Sequence, residues 1–65
     1  MSPREANLLW MKDLLEHLSA CRSQLEWSRD PQAIQVLTDL MLRDIESCRR
    51  LCETMQARTA VRQTA

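Results

Sequence analysis

Glycine, phenylalanine and tyrosine are absent from this sequence. Tight turns between antiparallel strands draw on Asn-Gly, Asp-Gly or other glycine pairs, and none of these occurs. A chain built mostly of short strands is excluded on that ground. A glycine-rich loop for cradling phosphates is excluded as well. Ala, Leu, Met, Gln, Glu and Arg dominate instead, all residues that lose little on entering a helix. The composition points to an all-α fold.

Net charge is also missing, because nine basic and nine acidic side chains cancel. That removes the simplest route to nucleic acid or an anionic membrane surface, a net basic field. No long apolar run occurs either. The longest is Leu8-Leu9-Trp10-Met11, far short of the ~20 residues a membrane-spanning helix needs. The charged, apolar and small-residue layout of a secretory signal does not appear. Three cysteines, an odd number, then suggest free thiols in a reducing compartment. An intracellular setting, cytoplasmic or nuclear, is the expectation.

Each half of the chain opens on a helix-start signal. Ser2 suits an N-cap, Pro3 the first helical position and Glu5 the far end of a capping box. Further on, Pro31 disfavours helical dihedrals at Asp30, so the first helix should end before it. Asp30 then caps the second helix, with Pro31 in its first turn. The spacing predicts helices at about 3–27 and 31–57 joined by a turn at about 28–30, with residues 59–65 a flexible tail. A connection this short favours an antiparallel hairpin. A single bent helix is the rival.

The apolar stripes are wider than a hairpin can use. Read as heptads, the first helix has Leu8, Leu15 and Arg22 at a, Met11, Leu18 and Leu25 at d, and Leu14 and Cys21 at g. The second has Ile34, Met41, Cys48 and Met55 at a, and Leu37, Asp44 and Leu51 at d. Ala33, Leu40, Ile45 and Cys52 widen that second stripe on both flanks. A coiled-coil seam uses about two positions in seven, so each stripe exceeds what one neighbour covers. A chain of 65 residues also seldom gains more than about 3–5 kcal/mol from its own core. The surplus therefore predicts completion by association. Two hairpins could form a four-helix bundle, or one could receive a partner's amphipathic helix.

Several residues stand out against this pattern. Arg22 and Asp44 are charged at seam positions, where a polar residue costs stability but can set register. Folding about residue 29 leaves them roughly 12 Å apart along the axis, too far to pair within one hairpin. Arg22 is expected to snorkel. Trp27, beside the turn, is expected to lie over the helix ends or to anchor a partner. Trp10 is expected in the core or at its margin. Leu9, Val36 and Leu42 fall away from the stripes, as isolated exposed apolar residues commonly do.

Reactive chemistry has little footing. His17 with Cys21 and Cys48 with Cys52 are each spaced to share a helix face. Structural zinc requires about four such ligands, yet the hairpin separates the two pairs by roughly 15 Å. The same offset argues against a disulfide from Cys21 to either of the others. Two helices offer no pocket of substrate size. No enzyme activity, cofactor or metal is expected. The function predicted is a protein-interaction or oligomerisation module of an intracellular scaffold or regulatory protein, its partner a second copy or another protein's helix. The alternative is a nucleic-acid-associated module using Arg43, Arg49, Arg50, Arg58 and Arg62, although Asp44, Glu46 and Glu53 interrupt that series.

Overall fold

Ser2 starts the first helix as its spacing predicts. In the computed structural model its side-chain oxygen accepts the backbone N–H of Glu5 at 3.1 Å, and helix α1 runs Pro3–Trp27. The structure describes residues 2–64, with side chains described for 2–58. At the other end of α1, Ser28 leaves helical dihedrals (φ −81°, ψ 130°) while its N–H still donates to the Gln24 carbonyl. Asp30 caps the next helix: its carboxylate accepts the Gln32 N–H at 3.1 Å, and its carbonyl accepts the Ile34 N–H at 3.0 Å. Helix α2 spans Pro31–Thr64.

The two helices pack against each other as a hairpin, so the bent single helix is discarded. α2 continues past residue 57, where the fading apolar pattern places its end. Nothing between Ala57 and Thr64 breaks a helix, since Gly and Pro are both absent there. The hydrophobic stripe ends before the backbone does. The flexible tail expected over 59–65 lies in residues whose side chains are outside those described.

The core is thin. Only Cys21 and Leu51 are buried among the described residues, at 4% and 6% exposure. The Cα radius of gyration is 15.5 Å, against about 11 Å for a compact globule of this length. The molecule is a rod measuring 53 × 20 × 13 Å. Most of its apolar side chains therefore lie on a surface rather than in an interior.

The partly covered positions show which rows meet. In α1 they are Asn7, Met11, Leu14, Leu18, Cys21 and Leu25. In α2 they include Leu37, Asp44 and Leu51 of the d row, Ala33, Leu40 and Ser47 of the g row, and Met41, Cys48 and Met55 of the a row. The α1 series alternates steps of four and three, the signature of a seam between helices. On α1 the seam consists of the d and g rows, and on α2 the d row is flanked by both g and a. The a/d seam expected from the stripes is thus corrected on α1, where Leu8, Leu15 and Arg22 are exposed.

Candidate functional site

With d and g meeting on α1 and d flanked by g and a on α2, both a rows lie on one side of the hairpin. Each a position follows its g neighbour by one residue, about 100° around the helix. Because α1 and α2 are antiparallel, that rotation turns both rows toward the same side of the molecule. Leu8 and Leu15 come from α1. Ile34, Met41 and Cys48 come from α2, joined by Ile45 and Cys52 of the adjoining row. Leu8 is 44% exposed, Leu15 55%, Ile34 37% and Ile45 52%. Cys52 is exposed, and Met41 and Cys48 are half-buried.

The remaining expected core residues divide between seam and margin. Met11, Leu14, Leu18, Leu25, Leu37 and Leu40 are half-buried in the seam, as is Met55 near its open end. Trp10 is not in the core: it precedes Met11, so it turns to the opposite side and is 55% exposed. Trp27 does not close the turn. It lies on the outer face of α1 and is 83% exposed, since a whole number of turns separates it from outward-facing Leu9. Val36 and Leu42 are exposed away from the a rows, as their spacing predicts.

The charged residues of the expected seam behave differently from each other. Arg22 is exposed in the a row and pairs within α1, Arg22 Nη2 to Glu26 Oε1 at 3.1 Å. It fixes no register inside the hairpin. Asp44 sits in the seam with its side chain 14% exposed and joins His17 of α1 through Nδ1. A neutral imidazole carrying its proton on Nδ1 donates there and leaves Nε2 as an acceptor. Cys21 Sγ lies 3.8 Å from that Nε2. The thiol is buried at 4% exposure, out of a substrate's reach, so these three groups form a clasp between helices.

His17 is the residue that spacing alone did not single out as Asp44's partner. His17 lies twelve residues before position 29 and Asp44 fifteen after it. Helical side chains lean toward their own N-terminus. Those of α1 therefore reach away from the turn and those of α2 toward it, which closes the three-residue difference. That lean was the signal available.

On α2, Arg49 and Arg50 are engaged with carboxylates. Arg49 reaches Glu46 at 2.9 Å and Glu53 at 2.7 Å, and Arg50 reaches Glu46 at 3.4 Å. The hydrogen bond from Arg49 holds the Glu46 carboxyl below its ordinary range. The same bond raises the Arg49 guanidinium.

At the turn a shallow groove is lined by residues that include Gln24, Asp30, Val36 and Leu37. Its carboxylate is already spent on capping α2. Among the described residues no group of three or more His, Cys, Asp or Glu is placed to hold a metal ion. No described helix is long and apolar enough to cross a membrane. Comparisons with protein-family models, curated proteins and solved structures found no match.

Proposed function

We propose that this chain is a protein-interaction module whose working surface is the a-row side of the hairpin. The single observation carrying this reading is that Leu8, Leu15, Ile34 and Ile45 are 37–55% exposed yet aligned on one side. Scattered exposed leucines are ordinary, whereas a contiguous apolar strip over two helices is a recognised mark of a docking surface. The other exposed apolar residues lack that continuity. Trp10 and Val36 share a side but lie toward opposite ends of the hairpin, with His17 and Arg43 between them. Leu9, Trp27 and Leu42 lie on outer faces.

The arginine-based alternative is weaker, because Arg49 and Arg50 are engaged by Glu46 and Glu53. Nor does any aromatic residue interleave with them to stack on bases.

A photo-crosslinking benzophenone amino acid tests the reading when placed at position 15 and, separately, at position 9. In cells expressing the chain, irradiation should give protein adducts from position 15 and few from position 9. Equal yields, or none from position 15, would sink it.

A further inference from the structure

Resting on the interaction surface just described, we infer that its occupant is a second copy of this chain, packed face to face with the turns at opposite ends. The extent of the surface suits that occupant. α1 has 25 residues, or roughly 37 Å at helical rise, and the hairpin is 20 Å wide. The side-by-side portion thus offers on the order of 750 Å², close to the ~800 Å² that each partner buries in a standard stable interface. A lone helix from another protein would cover only part of it.

Symmetry about Leu15 supports the same occupant. Leu15 is the middle residue of Pro3–Trp27, and Ile45 lies nearly level with it on α2. A two-fold axis crossing the face at this level sets α1 antiparallel to its copy, in the isologous manner of symmetric dimers. Leu15 then meets Leu15 of the second copy, and Ile45 meets Ile45. Leu8 and Arg22 each lie seven residues from Leu15, so the aliphatic stem of Arg22 covers the other copy's Leu8. The guanidinium stays with its own Glu26.

The test uses the purified full chain in two measurements. Sedimentation velocity across the micromolar range should give the mass of two chains. In a Cys48→Ser, Cys52→Ser background, Leu15→Cys should form a covalent dimer with oxidised glutathione as oxidant, whereas Leu9→Cys should not. Leu15 is 55% exposed, so its replacement leaves the hairpin seam intact, as far-UV circular dichroism would verify. A monomer at high micromolar concentration overturns the inference. So does a dimer in which Leu15→Cys stays reduced. If such a monomer still yields adducts to another protein from position 15 in cells, the second copy is wrong and the interaction surface stands. If position 15 yields none, both fall.

Discussion

His17 on α1 and Asp44 on α2 are joined side chain to side chain, twenty-seven residues apart in sequence. Asp44 keeps only 14% of its side chain exposed, so the imidazole replaces much of the water that a carboxylate would otherwise hold. Losing one member of such a pair costs more than the pair contributes, because the other is left without a partner. His17→Ala or Asp44→Ala alone should therefore destabilise the hairpin by about 1–3 kcal/mol, while replacing both together, His17→Leu with Asp44→Leu, should be neutral or stabilising. Urea unfolding at fixed protein concentration measures both. If the effects of His17→Ala and Asp44→Ala simply add, the two residues are not coupled and the clasp is not a working contact.

The seam and the outer faces should differ sharply in what a truncation does. Leu51 is buried at 6% exposure and Leu42 is 64% exposed, although nine residues of one helix separate them. Leu51→Ala should cost about 2–4 kcal/mol. Leu42→Ala should stay within about 0.5 kcal/mol. Equal losses in thermal or urea unfolding would mean that the d and g rows are not the seam.

How much of this was legible follows from which features are local. Ser2 and Asp30 bind N–H groups within three residues of themselves, so the caps, the turn and the hairpin could be read from short stretches of chain. The choice between a/d and d/g could not. Met11 belongs to either seam on a helical wheel, Leu8 to a/d alone and Leu14 to d/g alone, and the stripe holds all three. Only the pairing of the two helices decides, and that depends on contacts distant in sequence. Trp27 departs from its expected place over the turn for a related reason. Nearness to the turn in sequence says nothing of which way a helical residue points. The interaction surface is a remainder, what the seam leaves over, so it became definable only once the seam was fixed.

Acid should loosen α2 through Glu46. Its folded pKa is lowered, first by the Arg49 hydrogen bond, so its contribution is present above the unfolded value, near 4.3 for an ordinary Glu. The contribution is lost as pH falls through the lower folded value. Helicity followed by circular dichroism should drop across this acid window. Glu46→Gln should remove part of the drop while lowering helicity slightly at neutral pH. Because these side chains are exposed, high salt should shrink the difference between the two proteins. An unchanged acid profile in Glu46→Gln would show that the Arg49 network contributes nothing.

The cysteines give a direct reading of which sides are covered. Cys21 is buried, Cys48 half-buried and Cys52 exposed. A thiol reagent should modify Cys52 first and Cys48 more slowly. Cys21 should react only as the hairpin opens, so its rate should rise with urea as stability falls. The first two rates carry a second piece of information. Cys48 and Cys52 lie on the a-row side, whereas Cys21 lies in the seam, so a partner on that side shields the first pair directly. If a second copy docks there, raising the protein concentration should slow Cys48 and Cys52 in step with the dimer fraction from sedimentation. Leu15→Glu, a charge at the centre of that face, should bring the fast rates back at the same concentration without accelerating Cys21 to their level. Rates at Cys52 that ignore concentration while the chain sediments as a dimer would place the interface on another side. The Leu15-centred packing would then be wrong.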